Sequence, residues 1–169
     1  MVTPQFFFSI ALLIGTAVIY NQISFIKDRT TGYNKNNLLM VPATGDMMKN
    51  YAIIRDKLLQ KSLATAVTAS STNVTVIPAW SKPDWDGRRD DQNDYFALIS
   101  IGHDYIGTVG VTLLQGRSFD DQFNDSTSVI LNRTAADQME LKTPLGTRVR
   151  VNGGEFTVVG IMDDMVMGS

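Results

Sequence analysis

The hydrophobic pattern begins with an apolar run, FFFSIALLIGTAVIY at Phe6–Tyr20, that contains no charged residue. Nearly every face of a helix with this sequence is apolar, whereas a helix packed on a protein surface usually keeps a polar stripe. At about 1.5 Å of rise per residue, the run is slightly short for a bilayer. Polar and apolar residues then mix over Asn21–Asp28, which favours continuation of the helix as an amphipathic stalk. The pattern therefore predicts a transmembrane and stalk helix over residues 1–31.

Two other interpretations of this run stay open at this point. A signal peptide needs a positively charged start and a cleavage site after the apolar run. The leading MVTPQ has no Lys or Arg, and the small-residue triplet at Gly15 lies inside the run. A buried core helix is the other interpretation, because somewhat shorter apolar runs occur in cores. Ala11 and Gly15 form a small-xxx-small pair that favours close helix packing in lipid, although such pairs also arise by chance.

After a polar turn at Gly32, the pattern predicts a strand, a helix and a second strand. NLLMVP predicts a short buried strand that Pro42 ends. MMKNYAIIRDKLLQ has apolar residues at helical spacing, and Thr44 or Asp46 can cap that amphipathic helix. ATAVTASST, at 64–72, is β-prone. This order predicts a βαβ-type unit packed on one face of a sheet.

The rest of the chain predicts an irregular loop and then a β-rich region. Prolines, Gly87, two tryptophans and many charges make 73–93 a long loop. DYFALISIG predicts a strand with Tyr95, Ala97, Ile99 and Ile101 on one face. A hairpin is predicted where TRVRV, an NGG turn and EFTVVGI follow one another. The remaining predicted elements are a short helix at 103–110, an extended segment at 111–119, a strand at 128–132 and a helix at 133–139 capped by Asn132.

Composition and charge exclude several classes of function. The chain is 44% hydrophobic and 19% charged, with a net charge of −2, which are ordinary values for a globular protein. No basic excess provides a phosphate-binding footprint, so nucleic acid is not an expected partner. The chain has no cysteine, which excludes disulfides, thiolate nucleophiles and cysteine zinc sites.

Candidate catalytic and metal-binding residues are sparse. The single histidine, His103, precedes Asp104, and such a pair can orient an imidazole for base catalysis. A surface capping role is the simpler interpretation. DWDGRRDDQND resembles a calcium loop through Asp84, Asp86, Asp90 and Asp91, but it lacks EF-hand spacing and its closing Glu. Arg88 and Arg89 within it would pair with those carboxylates and repel a cation. The glycines form no dinucleotide or P-loop fingerprint, so we expect no enzyme activity, metal or cofactor.

The irregular loop also contains a candidate partner or substrate surface, because exposed loops on a rigid scaffold often carry recognition. We call it the loop surface, and it consists of Trp80, Trp85, Asp86, Arg88 and Arg89. The two tryptophans flank Pro83, and the alternative is that they cover a small core belonging to the loop itself.

The order of these segments resembles the MacB/FtsX-type ABC transporter permeases. QFFFSIALLIGTAVIYNQISFIKDRTTGYNKNNLLMVP is similar to the junction between membrane helix and domain in that family. HDYIGTVGVTLLQGRSF resembles the family's D-Y-(I/F)-x-T-x-G-(I/V)-x-L-x-x-G-R-x-F segment, here Asp104–Phe119. SVILNRTAADQM, TPLGTRV and EFTVVGIMDDMVMGS resemble later family segments in the same order. Each match is weak alone, and together they span nearly the whole chain.

The resemblance implies an α+β periplasmic core domain at 32–169 that follows the transmembrane and stalk helix. Its porter-like βαβ part would cover about 38–72, and an inserted β-rich part about 77–161. It also implies that the chain is a fragment that lacks the C-terminal continuation of the domain and the later membrane helices. The basic residues after the helix, Lys27, Arg29 and Lys35, would by themselves place the domain in the cytoplasm. The family places it outside the bacterial cytoplasmic membrane, and we follow the family.

The resemblance further implies a mechanical function rather than a chemical one. A cytoplasmic ABC ATPase subunit would hydrolyse ATP, and the permease would carry the resulting change across the membrane to export or extract a substrate or to regulate a partner. A second permease copy or half and a periplasmic adaptor are the other implied partners. The stalk residues Asn21, Gln22, Phe25 and Lys27 would act as the lever. The alternative is a membrane-anchored ligand-sensing domain, with a pocket lined by Trp80, Trp85 and Tyr95.

Overall fold

A computed structural model describes residues 3–28 and 31–167 of the chain. The chain divides into two compact units, Met1–Thr30 and Thr31–Ser169. In the first unit, helix α1 spans Thr3–Asp28. Its section Gln5–Ser24 has a mean hydropathy of 1.8 and no buried residue, so α1 is long and apolar enough to cross a membrane. The second unit mixes short helices with a sheet, which agrees with the predicted α+β class.

The described part of the second unit contains four short α-helices, one 3₁₀ turn and seven strands. The helices are α2 (Gly45–Lys49), α3 (Tyr51–Gln60), α4 (Tyr105–Val109) and α5 (Arg133–Gln138), and the 3₁₀ turn is Asp125–Thr127. The strands are β1 (Trp80–Ser81), β2 (Asp84–Trp85), β3 (Phe96–Ala97), β4 (Leu113–Gly116), β5 (Ser128–Asn132), β6 (Arg148–Val151) and β7 (Gly154–Met162).

Strand β7 is the centre of the main sheet. It pairs in antiparallel fashion with β6 near its start and with β4 near its end, and it pairs in parallel with β5. Thr157 faces both Arg148 of β6 and Ser128 of β5, so these two strands lie on opposite edges of β7. Strand β2 adds to the free edge of β6. With neighbours along both edges, β7 is the most internal strand, and Val158 within it is only 1% exposed.

The β6–β7 hairpin forms where the sequence predicts it. Val151 pairs with Gly154 across a two-residue turn of Asn152 and Gly153. Their φ angles are 51° and 79°, and a type I′ turn requires positive φ at both central positions, which Asn-Gly tolerates well. Val149 and Val151 are buried while Arg148 is exposed. The alternating pattern therefore sets both the register of the hairpin and the face that packs on the core.

The two short helices of the β-rich region form where the sequence predicts them. The Asn132 side chain accepts a hydrogen bond from the backbone N–H of Ala135 at 3.2 Å and caps α5. Helix α4 ends at Gly110, which has a φ of 74°, the left-handed conformation typical of a residue that terminates a helix. Tyr105, Ile106 and Val109 of α4 are buried.

Two of the predicted strands do not form. Leu39, Met40 and Val41 are 85%, 48% and 60% exposed, and residues 38–42 belong to no strand. Residues 64–72 contribute only an isolated bridge between Ser70 and Ile101. A strand exists only with a neighbour that completes its backbone hydrogen bonds, and no described segment provides one for 38–42. The predicted helix between them is present as α2 and α3, which meet at Asn50.

The strand predicted for DYFALISIG is shorter than expected. Only Phe96–Ala97 forms a strand there, and it pairs with Trp80–Ser81. Tyr95 is 60% exposed, whereas Phe96 packs against the core. The inward-facing side thus changes along the segment, since Phe96 packs against the cluster that contains Trp85, whereas Ile101 packs against the cluster around α4.

Two clusters of buried side chains form the core of the second unit. One cluster joins α5 to the sheet and consists of Trp85, Leu131, Ala135, Ala136, Met139, Val149, Val158 and Ile161. The other surrounds α4 and consists of Val74, Tyr105, Ile106, Val109 and Val111. The division of this unit into a porter-like part at 38–72 and an inserted part at 77–161 stays a prediction.

Candidate functional site

The structure separates the two tryptophans of the predicted loop surface. Trp80 is 61% exposed, whereas Trp85 is 2% exposed. The Trp85 ring meets Phe96 edge to face, with centroids 6.1 Å apart, and the Arg88 guanidinium lies 5.5 Å from its centroid. Including Trp85 in the loop surface was therefore wrong, because pairing of β2 with β6 turns this ring into the core. Trp80, Asp86, Arg88 and Arg89 remain as candidates.

The aspartates of the loop are neutralised by arginines of strand β6. Arg150 contacts Asp84 at 3.0 Å and Asp86 at 3.1 Å, and Arg148 contacts Asp86 at 3.4 Å. The hydrogen bond from Arg150 lowers the pKa of the Asp86 carboxyl, and the charge of Arg148 lowers it further. Among the described residues, no group of three or more acidic or histidine side chains is arranged to hold a metal ion. The Asp84 and Asp86 carboxylates thus pair with arginine side chains.

Arg89 fastens the loop to the end of α5. Its guanidinium lies 2.6 Å from Glu140 and 3.2 Å from Asp91. Glu140 has a φ of 53°, a left-handed conformation that a residue with a Cβ seldom adopts. Between the loop and this turn lies a shallow depression of about 180 Å³ whose rim includes Asp86, Gln92 and Lys142. The depression is open and polar, and it is a surface for contact rather than an enclosed pocket.

His103 contacts a different aspartate from the one beside it in the sequence. Its Nδ1 pairs with Asp121, while Asp104 pairs with Arg55 of α3 at 2.9 Å. Arg55 also contacts Asp121 at 3.1 Å. No hydrogen bond between the His103 ring and a hydroxyl side chain is found among the described residues. The histidine thus joins Arg55, Asp104 and Asp121 in one cluster. The predicted capping role is not observed, because the N-cap of α4 is Asp104 and its side chain makes no capping hydrogen bond.

The segment Thr31–Asn34, which we call the exit segment, is built into the second unit by main-chain hydrogen bonds. The N–H of Val166 donates to the carbonyl of Thr31, and the N–H of Asn34 donates to the carbonyl of Val109, both at 2.9 Å. Sequence reasoning predicted only a turn at Gly32. The glycines at 32 and 110, which have positive φ in the structure, were the available sequence signal for these contacts. The signal was insufficient because the residues that the two glycines approach are distant in the sequence.

Two hydroxyl groups of helix α1 form hydrogen bonds within the helix. The hydroxyls of Ser9 and Thr16 donate to the carbonyls of Gln5 and Leu12, at 2.9 Å and 2.8 Å, as hydroxyl groups commonly do in membrane helices. Ala11 and Gly15 are exposed on α1, so their role in helix packing stays a prediction.

The predicted stalk residues lie at the end of α1. Asn21 and Gln22 are exposed, whereas the side chains of Phe25 and Lys27 lie outside the described residues.

Residues 7–169 match the family described as MacB-like periplasmic core domain. This chain belongs to that family. The match begins inside α1 and continues through the sheet, so it covers the apolar helix and the MacB-like domain together. The chain is accordingly a MacB-like periplasmic core domain of an ABC transporter permease with one candidate transmembrane helix, and the recognition made from sequence motifs is confirmed.

Three solved structures are similar to this MacB-like chain. The periplasmic region of MacB from Actinobacillus actinomycetemcomitans is 22% identical, with a TM-score of 0.48, and the alignment covers 69% of this chain and 52% of that one. A domain of a putative permease from Porphyromonas gingivalis is 18% identical, with a TM-score of 0.46 and coverages of 64% and 48%.

The extracellular domain of the noncanonic ABC-type transporter YknZ from Gram-positive bacteria is 20% identical, with a TM-score of 0.49 and coverages of 76% and 67%. The alignments to the MacB and Porphyromonas gingivalis structures thus span about half of those chains. No curated protein gives a significant match.

Proposed function

We propose that this chain is the extracytoplasmic domain of an ABC transporter permease subunit, together with the membrane helix that precedes it. In this proposal the domain transmits an ATP-driven conformational change across the membrane, to export or extract a substrate or to regulate a partner. The observation that carries the proposal is the continuous family match from residue 7 to residue 169. A match of this kind links the apolar helix and the folded domain in one functional unit.

The proposal assigns the chemistry to other subunits. The protein itself is not an enzyme, and a separate cytoplasmic ABC ATPase subunit hydrolyses ATP. The family match supports this assignment, since the family is a domain of a transporter permease. A second permease copy or half completes the membrane part, and a periplasmic adaptor is a further partner. The stalk of α1, with Asn21, Gln22, Phe25 and Lys27, acts as the lever.

The exposed part of the loop surface is the proposed contact for a partner or substrate. Trp80 presents a large apolar ring that is 61% exposed, and the same loop contributes the charged side chains of Asp86, Arg88 and Arg89. Exposed aromatic and arginine side chains are the residue types enriched at protein interfaces. Anchoring of the loop through the Arg89–Glu140 ion pair would present this surface in a defined conformation.

The test of location uses single cysteines in a cysteine-free background of the full-length permease, to which this chain contributes no cysteine of its own. Asp86→Cys and Asn152→Cys place a thiol at two exposed positions of the full-length permease in cells. The proposal places the domain in the periplasm, attached to the bacterial inner membrane, so a thiol reagent that cannot cross that membrane should label both. Val158→Cys is the matched control, since that position is 1% exposed and should stay unlabelled. Labelling of both exposed sites only after the membrane is broken would refute the proposal.

The ligand-sensor alternative has no observation in its favour. It requires a pocket lined by Trp80, Trp85 and Tyr95. Trp85 is in the core, while Trp80 and Tyr95 are 61% and 60% exposed, so the three rings do not line one cavity.

A further inference from the structure

The exit segment lies unusually close to the chain that follows β7. Gly32 has a φ of 75°, and a Cβ at this position would lie 2.0 Å from the carbonyl oxygen of Asp164. A real Cβ cannot approach an oxygen so closely, so only glycine permits the contact as it stands. On its other side, a Cβ at Gly110 would lie 2.8 Å from the Cβ of Asn34. The exit segment is therefore clamped between the residues after β7 and the end of α4.

Asp164 extends this contact to helix α5 through its side chain. One carboxylate oxygen accepts hydrogen bonds from Asn132 Nδ2 at 2.5 Å and from the N–H of Thr134 at 3.1 Å. The other oxygen accepts from Thr134 Oγ1 at 2.8 Å. Hydrogen bonds to an ionised acceptor are stronger than those between neutral groups. A single residue thus touches the exit segment with its backbone and holds the start of α5 with its carboxylate.

The neighbouring residues strengthen the same joint. The N–H of Asp163 donates to the carbonyl of Thr112 at 2.8 Å, and the Asp163 carboxylate lies 3.3 Å from Arg133. Tyr33 of the exit segment and Met165 after Asp164 both pack against the buried cluster around α4. Hydrogen bonds, an ion pair and apolar contacts therefore join the exit segment to α4, α5 and the end of β7.

We infer that Asp164 is a positioning residue that fastens the exit segment to the sheet, so that a displacement of the segment moves β7 and α5 with it. An exposed segment with few hydrogen bonds opens locally when it is displaced. A segment that is hydrogen-bonded to several partners instead moves those partners with it. This inference rests on the proposed function, because the displacement it transmits is the one that the membrane helix would deliver.

The test uses the full-length permease assembled with its ATPase subunit in lipid nanodiscs. Spin labels on Asn152→Cys in the two permease copies report how far the domains move between the ADP-bound and ATP-bound states. We expect Asp164→Asn to reduce the ATP-dependent change in label distance at least threefold while ATP hydrolysis continues. Asp137→Asn makes the same change of charge on an exposed residue of α5, and we expect it to leave the distance change intact.

A disulfide that restores the lost link tests whether Asp164 couples the movement or only stabilises the fold. Thr31→Cys and Val166→Cys replace residues whose backbones are hydrogen-bonded, and a disulfide between them replaces the fastening that Asp164 provides. We expect oxidation to restore the distance change in the Asp164→Asn background, and reduction to abolish it again. Thr134→Val, which removes one of the three hydrogen bonds to the carboxylate, should give a smaller loss and serves if Asp164→Asn does not fold.

The outcomes distinguish this inference from the proposed function. If the wild-type domains move with ATP and both variants move equally far, the inference is wrong while the proposed function stands. If the wild-type domains do not move, the proposed function fails. Amide hydrogen exchange of the second unit then decides the inference, since Asp164→Asn should speed exchange at Asn34 and Val166 at least tenfold over wild type. Unchanged exchange there would overturn it.

Discussion

The Arg117–Asp125 ion pair offers a quantitative test of how the region between β4 and β5 is held. Arg117 donates to both carboxylate oxygens of Asp125, at 2.6 Å and 3.0 Å, and the N–H of Asp120 donates to the same group at 3.1 Å. The Asp125 side chain is only 4% exposed. The Arg117 guanidinium also lies 4.0 Å from the Phe123 ring centroid. The perturbation we choose is Asp125→Asn, which removes the charge at constant shape.

The magnitude follows from the pKa of the carboxyl. The hydrogen bond from Arg117 is the main cause that lowers the pKa of Asp125 from 3.8 to about 2. At about 1.4 kcal/mol per unit of pKa, this difference is worth about 2.5 kcal/mol of folding free energy. Because the folded-state pKa lies below the unfolded one, the contribution is complete above about pH 5. It is lost as the pH falls through 3.8 toward about 2.

The assay is urea unfolding of the chain in a mild nonionic detergent, followed by the fluorescence of Trp85. Trp80→Phe in every sample leaves Trp85 as the only tryptophan. Because Trp85 is only 2% exposed in the folded protein, its fluorescence is sensitive to unfolding. We expect Asp125→Asn to lower the free energy of unfolding by about 2 kcal/mol at pH 7, the difference to fall to roughly a third of that value by pH 2.5, and wild type and variant to converge only below about pH 2. Asp137→Asn, at an exposed position, should change it by less than about 0.5 kcal/mol.

A constant difference between wild type and variant from pH 7 to pH 2.5 would refute this reasoning. Such a result would show that the carboxylate charge is not the source of the stabilisation. A difference of only a few tenths of a kcal/mol at pH 7 would place the pair among ordinary surface ion pairs.

Three further predictions test the core, the sheet and its charged surface. Trp85→Ala should lower the free energy of unfolding by about 3–5 kcal/mol, measured by circular dichroism, because the ring is buried between β2 and the core. Gly116→Ala should lower the melting temperature more than Gly87→Ala. Both glycines have positive φ, but only at Gly116 would the new Cβ lie 2.2 Å from the carbonyl oxygen of Val159. Equal melting temperatures would contradict this close approach. Arg150→Ala should lower the melting temperature only slightly at low salt and hardly at all in 1 M salt, because its side chain is 41% exposed. A loss that persists in high salt would show that Arg150 acts through packing.

Elements set by neighbouring residues could be predicted from the sequence alone. The β6–β7 hairpin follows from alternation on both sides of an Asn152–Gly153 turn, and α5 follows from the Asn132 cap. Helix α1 follows from an apolar run that no local signal interrupts. In each case the decisive contacts lie within a few residues, so the sequence pattern carries the physical information.

The candidate site was predicted less well, because exposure depends on distant partners. Trp80 and Trp85 look equivalent in the sequence, and only pairing of β2 with β6 makes one exposed and the other buried. The position of Arg89 against Glu140 joins residues that no spacing rule connects. Sequence reasoning could therefore name the loop but not the side chains that it presents.

The sequence by itself determined the membrane-helix signal, the hairpin, the short helices and the ordered motifs of the family. Only the tertiary structure decided that 38–42 forms no strand, that Phe96 rather than Tyr95 faces the core, and that Gly32 meets Asp164. The physical reason is the same in all three cases. Strand pairing and close backbone approach depend on residues that are distant in the sequence. Local propensity contains no information about which of those residues will lie next to a given segment in the fold.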